Sequence, residues 1–263
     1  MNGLAAAFFD LDKTLMAGSS GLHFGRAAQR AGWLTRRDMA RFGAEHVRYR
    51  MRGSTDASAQ ALLAEVTEKL RGITEAELVR MAPEVLAGVL PRIYPEMLDE
   101  VAAHRAAGRP TFIVSAAGDG MVRLLARVLG MTGGIGTRYE LDADGAYTGR
   151  LDGPFMYGDG KVEALERFAA EHDVDLAASW AYSDSASDLP MLRSVGHPVA
   201  VNPDADLAAV AAAEGWRVMR FERLGRRVAI AGATVVAAAV GGMGTMLASR
   251  RRAPPRRPLG LRR

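Results

Sequence analysis

Residues 5–15 read AAAFFDLDKTL, an apolar run that ends abruptly in two carboxylates, Asp10 and Asp12. Such a run is typical of a buried central strand whose last residues turn toward solvent at the carboxyl edge of a sheet. Open α/β sheets bind their ligands at that edge. Because side chains two apart on a strand project to the same side, the spacing predicts that Asp10 and Asp12 share one small site.

Two carboxylates so close together repel each other unless a positive charge lies between them. A divalent cation supplies that charge, and oxygen ligands at a strand end suit Mg²⁺. A strand followed by an ordinary polar turn is the alternative interpretation of this stretch alone. The stretch SDSASD, residues 183–188, favours the metal site, because it places two more acids, Asp184 and Asp188, after another predicted strand.

The composition bounds the class of protein. At 263 residues and 49% apolar, the chain is long enough for one full core and a smaller appended unit. The absence of cysteine excludes disulfides and thiolate metal sites. Asp10 and Asp12 interrupt the only early apolar run, so we predict no signal peptide and expect the body of the protein in the cytoplasm.

Charge is distributed very unevenly along the chain. Residues 217–263 contain twelve arginines and one glutamate, a net +11, which leaves −7 for residues 1–216 of a chain whose total is +4. A nucleic-acid-binding body would carry a basic face of its own, so we predict no nucleic-acid partner. Lysine is rare, with three residues against 31 arginines, so the position of Lys161 invites a functional interpretation.

The middle of the chain changes from helical to alternating patterns. Residues 16–91 carry apolar residues at helical spacing, with a capping box at Thr74 and Glu77, and predict about four helices. From residue 95 onward, predicted strands at 111–116, 179–188 (ending in acids), 197–202 and 216–221 alternate with helices, and a hairpin with a two-residue turn is predicted at Asp144 and Gly145. Alternation of this kind predicts an α/β fold with a doubly wound parallel sheet.

A second apolar run lies near the C-terminus. Residues 228–248 contain no charge and as a helix would be about 32 Å long, enough to cross a bilayer. We predict a transmembrane or membrane-inserted helix at 226–249 and a basic, disordered tail at 250–263 that lies against anionic lipid, with the catalytic body on the cytoplasmic side. An Ala-rich helix in water, and a cytoplasmic protein, is the alternative. Small residues recur every fourth position and would let two copies form a homodimer; they are Ala229, Ala233, Ala237, Gly241 and Thr245.

Four short pieces of sequence fall where a parallel sheet presents its loops. They are Asp10-Leu11-Asp12-Lys13-Thr14, Ser115, Lys161 and Asp184-Ser185-Ala186-Ser187-Asp188. Together they resemble the four motifs of the haloacid dehalogenase (HAD) superfamily of phosphohydrolases, and the helical insertion resembles the cap of its phosphoserine-phosphatase-like branch, subfamily IB. The stretch YSDSASDLPML is most similar to uncharacterised hydrolases of that branch. The resemblance implies a Rossmann-like core at residues 1–15 and 92–225 and a helical C1-type cap at 16–91.

The resemblance also implies a division of chemical work. Asp10 would attack phosphorus and form an aspartyl phosphate, while Asp12 would protonate the leaving alkoxide and then activate water. Mg²⁺ would be held by Asp10, the main-chain carbonyl of Asp12, and Asp184, with Asp188 as a further ligand or a support. Three side chains would bind the substrate phosphate, namely Thr14, Ser115 and Lys161. A tie between the loop and the strand is the alternative role of Thr14.

The expected activity is therefore Mg²⁺-dependent hydrolysis of a small phosphorylated metabolite. Two positions depart from phosphoserine phosphatases: Ser19 replaces the cap acid that holds the substrate ammonium, and Ser187 replaces an asparagine. Two alternatives stay open at this point. One is phosphoryl transfer to an acceptor other than water, as in phosphomutases, and the other is a membrane-tethered interaction protein without catalysis.

Overall fold

A computed structural model describes residues 3–41 and 56–221 of the chain. The chain divides into two compact units, Met1–Arg220 and Phe221–Arg263. The predicted membrane helix at 226–249, its small-residue stripe and the basic tail at 250–263 lie outside the described residues. None of the helices within residues 3–41 and 56–221 has the length and apolarity needed to span a bilayer.

The first unit contains a six-stranded parallel sheet in the order β3-β2-β1-β6-β7-β8. This confirms the predicted doubly wound α/β architecture. Its strands are β1 (Ala7–Asp10), β2 (Thr111–Gly118), β3 (Gly133–Thr137), β6 (Trp180–Ser183), β7 (His197–Val201) and β8 (Arg217–Met219). The helices of the α/β part are α5 (Pro95–Ala106), α6 (Asp119–Val128), α7 (Asp159–His172), α8 (Leu189–Arg193) and α9 (Ala205–Glu214).

Strand β1 lies at the centre because all four of its residues are buried. Its two phenylalanines point to opposite faces of the sheet. Phe8 stacks on Phe112 at a ring-centroid distance of 5.7 Å and belongs to the apolar core that α7, α8 and α9 cover. Phe9 stacks on Tyr182 at 4.4 Å and meets the ring of His104 from α5 on the other face. The sheet is thus covered on both sides, as a parallel sheet requires.

Helices fill the segment between β1 and β2, as predicted. Among them are α1 (Ser20–Arg30), α2 (Asp56–Leu70), α3 (Glu75–Arg80) and α4 (Ala82–Val89), followed by a 3₁₀ turn at Leu90–Arg92, and residues 36–41 are also helical. The capping box is confirmed, because Thr74 accepts from the Glu77 amide while the Glu77 carboxylate accepts from the Thr74 amide. The division into a cap at 16–91 and a core on either side of it stays a prediction.

The predicted hairpin forms from β4 (Tyr139–Leu141) and β5 (Tyr147–Leu151), but its predicted two-residue turn is wrong. The Asp142 amide donates to the Ala146 carbonyl, which leaves three residues in the loop, and Gly145 takes a φ of 76°. A three-residue loop that needs one left-handed residue explains the glycine equally well. The hairpin also pairs with the inserted segment, since the amides of Gly72 and Tyr147 donate to the carbonyls of Tyr147 and Ile73.

Candidate active site

Three neighbouring strands deliver the predicted site to one edge of the sheet. Asp10 is the last residue of β1, Ser115 lies in β2, and Asp184 follows the end of β6. Because β1 pairs with β2 on one side and with β6 on the other, these three residues come together at the carboxyl edge. The structure therefore places side chains up to 174 positions apart in sequence at the location that the alternation of strands predicts.

Lys161 is the centre of this cluster. Its Nζ lies 2.6 Å from Asp10 Oδ1 and 2.7 Å from Asp188 Oδ2. The ammonium group is buried, with 4% of the residue exposed, and Asp10 and Asp188 are exposed by 8% and 3%. Charge-assisted hydrogen bonds of this length fix all three side chains in one geometry. Asp188 Oδ2 also accepts from Ser183 Oγ at 2.7 Å, so this oxygen accepts two hydrogen bonds, one from the serine and one from the lysine.

The start of α7 explains how Lys161 reaches the site. Gly158 takes a φ of 54°, in the left-handed region, and turns the chain into the helix. Gly160 packs directly on the preceding loop, because a Cβ there would lie 1.9 Å from the Phe155 carbonyl oxygen. Only a glycine permits that approach of two backbones. Lys161, next in sequence, is thereby held on the first turn of the helix with its side chain aimed at Asp10.

The ionisation of this cluster is strongly perturbed. Burial raises the pKa of Asp10 to about 8, although the Lys161 ammonium opposes the shift, and the nearby carboxylates of Asp188 and Asp184 add to it. Burial alone would lower the pKa of Lys161, but the carboxylates of Asp10 and Asp188 outweigh it and raise that pKa above its usual value. The buried carboxylates are thus short of positive charge, while the lysine stays protonated.

Asp184 has weaker partners. Thr14 Oγ1 donates to Asp184 Oδ1 at 3.5 Å, and Lys13 Nζ lies 3.6 Å from Asp184 Oδ2. Burial raises the pKa of Asp184 to about 6. The amide of Asp204 donates to the Asp184 carbonyl at 2.8 Å and fixes the loop after β6. Asp184 therefore remains free to take up a stronger cationic partner.

Thr14 is fully buried beside Asp184, and its hydroxyl lies 3.5 Å from Asp184 Oδ1. Its contact with a substrate phosphate stays a prediction. Lys13 reverses the chain just before it, with a φ of 61° in the left-handed region. The structure thus makes Thr14 a tie between the loop after β1 and the loop after β6.

Ser115 has the geometry of a hydrogen-bond donor to a substrate. Its Oγ accepts from the Ala117 amide at 3.2 Å, and its hydroxyl donates to no acceptor among residues 3–41 and 56–221. The side chain is buried at the carboxyl edge, beside β1. A hydroxyl proton without an acceptor at this edge can be given to a phosphoryl oxygen.

Asp12 does not follow the strand alternation that placed it beside Asp10, because β1 ends at Asp10. Its carboxylate is half-buried and lies at the beginning of α1. Asp12 Oδ1 accepts from the Ser20 amide at 2.8 Å, and Oδ2 accepts from Ser19 Oγ at 3.0 Å. The predicted acid–base group is therefore attached to the first inserted helix.

These donors bear on the predicted metal ligands Asp10, Asp12, Asp184 and Asp188. Within the described residues, no three acidic or histidine side chains converge on a common metal position. Lys161 bonds one oxygen of Asp10 and one oxygen of Asp188, and the Asp12 carboxylate accepts from Ser19 and Ser20. The second oxygens of Asp10 and Asp188 and the carboxylate of Asp184 are thus the groups that could hold a cation. Asp10 and Asp184 have raised pKa values because burial outweighs their cationic partners, and hard oxygen donors in that condition fit Mg²⁺.

Sequence reasoning missed three supporting groups, namely the Ser20 amide, Ser183 and Asp204. Ser183 ends β6 directly before Asp184, so its position at the carboxyl edge was a usable signal. Asp204 caps α9 by accepting from the Leu207 amide and also accepts from the Ala186 amide. Its role depends on the packing of two loops, which no local pattern displays.

Comparison with known proteins identifies the family of this constellation. The family model of haloacid dehalogenase-like hydrolases matches residues 7–193. That range contains each of the seven predicted site residues, from Asp10 to Asp188.

Several relatives carry the names of phosphatases. The chain is 36% identical over 251 residues to phosphoserine phosphatase SerB1 of Mycobacterium tuberculosis, which covers 94% of this chain and 81% of that protein. It is 32% identical over 220 residues to a histidinol-phosphatase of Neisseria meningitidis, which covers 82% of this chain and 98% of that protein. Among solved structures, a protein of unknown function from Bordetella pertussis Tohama I matches with a TM-score of 0.72 and 30% identity, over 82% of this chain and 98% of the other.

Proposed function

The chain belongs to the haloacid dehalogenase-like hydrolase family, and from that premise we propose that it is a phosphomonoesterase that works through a phosphorylated Asp10 with Mg²⁺ as cofactor. The names of its relatives support hydrolysis of phosphate monoesters. The geometry around Asp10 supports the covalent route. The following steps use only groups of this chain.

The observation that carries the proposal is that the two oxygens of Asp10 have different partners. Oδ1 is held by the Lys161 ammonium at 2.6 Å. Oδ2 accepts no hydrogen bond from residues 3–41 and 56–221, and it is not among the fully buried unpartnered atoms of that part of the chain. One oxygen is therefore anchored while the other can reach a substrate, as a positioned nucleophile requires.

In the first step, Asp10 Oδ2 attacks the phosphorus of the ester. The bond between phosphorus and the ester oxygen breaks, and Asp12 gives its proton to the departing alkoxide. Lys161 and Ser115 are placed to stabilise charge on the equatorial phosphoryl oxygens, one as an ammonium and one as a hydroxyl donor. The product of the step is an alcohol and an aspartyl phosphate on Asp10.

In the second step, a water molecule attacks the same phosphorus. Asp12, now a carboxylate, takes a proton from this water, and the bond between phosphorus and Asp10 Oδ2 breaks. Inorganic phosphate leaves, and both carboxyl groups return to their starting states. One side chain thus serves as acid and then as base, which explains why Asp12 is half-buried and not sealed in the core.

Asp10 and Asp184 would hold Mg²⁺ with the main-chain carbonyl of Asp12, and Asp188 would support them through Lys161 and Ser183. When bound, the cation neutralises the crowded carboxylates and withdraws charge from the phosphoryl group. The raised pKa of Asp10 supports this assignment, because burial keeps that carboxyl group partly protonated near neutral pH and a bound cation would favour its charged form. The smaller rise in the pKa of Asp184 has the same cause.

The substrate is a small phosphorylated metabolite whose leaving group is selected by the inserted helices α1–α4. Two relatives carry the names of different substrates, phosphoserine and histidinol phosphate. Because these two relatives are about equally similar to this chain and are named for different substrates, their names do not identify the alcohol part of its substrate.

The test is phosphate release from a panel of monoesters that contains phosphoserine, histidinol phosphate and a lysophospholipid-type phosphate. We expect release that requires Mg²⁺, that stops with a chelator and that yields inorganic phosphate. Transfer of the phosphoryl group to a second metabolite without free phosphate would contradict hydrolysis. Absence of turnover across the panel with Mg²⁺ present would contradict the proposed function.

A further inference from the structure

The carboxylate of Asp12 is held by two consecutive residues at the start of α1. Ser20, the first residue of the helix, donates its amide to Oδ1 at 2.8 Å, and Ser19 donates its hydroxyl to Oδ2 at 3.0 Å. Each oxygen has one donor, so the plane of the carboxyl group is fixed. A carboxylate with both oxygens bonded in this way cannot rotate without losing one of the two bonds.

Ser19 is used in an unusual manner for its place in the helix. A serine at the N-cap position commonly accepts from an amide of the first helical turn. Here the Ser19 side chain makes no capping bond, and the Asp12 carboxylate instead accepts the first free amide of the helix, that of Ser20. The Ser19 hydroxyl is thereby released from helix capping and committed to Asp12.

Both donors are compatible with acid and base catalysis by Asp12. An amide and a hydroxyl can each donate to one lone pair of a carboxyl oxygen, in the carboxylate and in the carboxylic acid. Ser19 and Ser20 can therefore stay bonded to Asp12 while its proton is given to the leaving oxygen and later regained from water. The second lone pair of each carboxyl oxygen remains for the leaving group or for water.

The helix that carries these donors is firmly packed. Ser20 and His23 of α1 are buried, and His23 lies so close to α4 that a Cβ on Gly88 would be 2.2 Å from its Nδ1. A donor on a packed helix holds its partner more accurately than one on a free loop.

We propose that Ser19 is a positioning residue that orients the Asp12 carboxyl group for proton transfer to the leaving oxygen. This inference rests on the proposed phosphatase function. It assigns a role in catalysis to a residue of the inserted segment that contacts neither phosphate nor metal.

The leaving group provides the test, because an alkoxide needs a proton to depart and nitrophenolate hardly does. Ser19→Ala and Ser19→Gly are assayed with glycerol 2-phosphate and with p-nitrophenyl phosphate. The test uses kcat/KM, which reports the steps up to release of the alcohol and excludes the hydrolysis of the aspartyl phosphate that both substrates share. General acid–base catalysis contributes about 10² to 10⁴, so we expect kcat/KM for glycerol 2-phosphate to fall at least about tenfold. For p-nitrophenyl phosphate we expect kcat/KM to change less than about twofold.

Ser19→Thr keeps a hydroxyl and should restore most of kcat/KM for glycerol 2-phosphate. Ser194→Ala removes a hydroxyl that bonds the Met191 carbonyl, far along the chain, and should change kcat/KM for neither substrate. An equal loss of kcat/KM for both substrates, or a threonine variant as impaired as the alanine variant, would overturn the role of Ser19. Full activity of Asp10→Asn, or an unsubstituted protein inactive on both probes, would overturn the proposed function and this inference with it.

Discussion

Lys161 Nζ lies 2.6 Å from Asp10 Oδ1, although 151 residues separate the two in sequence. The same nitrogen reaches Asp188 at 2.7 Å, so one buried ammonium serves two buried carboxylates. With Asp184 nearby, the site contains more buried negative than positive charge, and burial raises the pKa of Asp10 and of Asp184. This excess of buried negative charge lowers the stability of the folded protein, as is common where a site is shaped for function.

Removing the ammonium should therefore destabilise the protein as well as inactivate it. Lys161→Met keeps the length of the side chain but leaves Asp10 and Asp188 buried without their cation. Breaking a buried pair in this way costs about 3–5 kcal/mol. We expect a loss of that size in urea unfolding at pH 8 without metal, together with loss of phosphate release. Lys69→Met, at a more exposed ion pair, is the matched control and should cost less than about 1 kcal/mol; equal losses for both variants would refute the pairing.

Binding of Mg²⁺ should relieve the same imbalance. Saturation at 100 times the dissociation constant adds about 2.7 kcal/mol, so the unfolding temperature should rise when Mg²⁺ is added. Asp184→Asn removes one of the two side chains assigned to the cation and should abolish most of that rise. Asp152→Asn, at an exposed ion pair with Arg138, should keep it. A rise that is the same in the Asp184 variant would show that the cation binds elsewhere.

Much of this arrangement could be predicted from local sequence. The apolar run before Asp10 and the acids after β6 select Asp10 and Asp184, because the carboxyl ends of parallel strands meet at one edge. Lys161 is added by the resemblance to the family motifs, because the rarity of lysine does not separate it from Lys13 or Lys69. The alternation of strands and helices and the inserted helices follow from hydrophobic periodicity. These features depend on the backbone alone, which is why they can be read without knowledge of packing.

The remaining features depend on where individual side chains turn. Alternation predicts a site shared by Asp10 and Asp12, but it does not predict that β1 ends at Asp10 or that the Asp12 carboxylate bonds with the start of α1. Spacing likewise does not predict that Lys13 takes a left-handed φ or that the Thr14 hydroxyl lies beside Asp184. The direction of such a side chain depends on individual backbone dihedral angles, which residue spacing does not predict.

A second buried network, behind the sheet, controls stability in acid. Arg109 Nε donates to His104 Nδ1 at 2.8 Å, so the proton of the neutral ring lies on Nε2, which lies 2.7 Å from the Tyr182 hydroxyl. Tyr182 in turn donates to Glu100, whose other bonds come from Arg217. Burial, helped by the positive charge of Arg109, lowers the pKa of His104 to about 4.

The sign of the pH effect follows from that shift. The folded protein resists protonation of His104, whereas the unfolded chain takes up the proton near its ordinary value of 6.5. The free energy of unfolding is therefore unaffected by the titration of His104 above pH 6.5. It decreases as the pH falls from 6.5 toward 4, by at most about 1.4 kcal/mol per pH unit. We expect His104→Gln to flatten this part of a pH series of urea unfolding curves, while His172→Gln, at an exposed position, leaves it unchanged. A slope identical in both variants would contradict the assignment.

Gly160 offers a test of how α7 aims Lys161. A Cβ at this position would lie 1.9 Å from the Phe155 carbonyl oxygen, so Gly160→Ala must shift the start of the helix. Overpacking of this kind typically costs about 1–3 kcal/mol, and phosphate release should fall with it. Gly120→Ala is the control, since its Cβ would meet only Glu75 Oε1 at 3.8 Å, and greater helix propensity should leave thermal stability equal or higher. A stable and fully active Gly160→Ala would show that the close approach has no bearing on Lys161.

The most direct test of the central claim is phosphate release by Asp10→Asn in the presence of Mg²⁺. The substitution keeps the shape of the side chain and removes the attacking oxygen. It also removes a buried charge, so the metal-free variant should unfold no more easily than the unsubstituted protein at pH 8. We predict that kcat falls by at least roughly a hundredfold on every substrate that the unsubstituted protein hydrolyses. Undiminished hydrolysis by this folded variant would show that Asp10 is not the nucleophile.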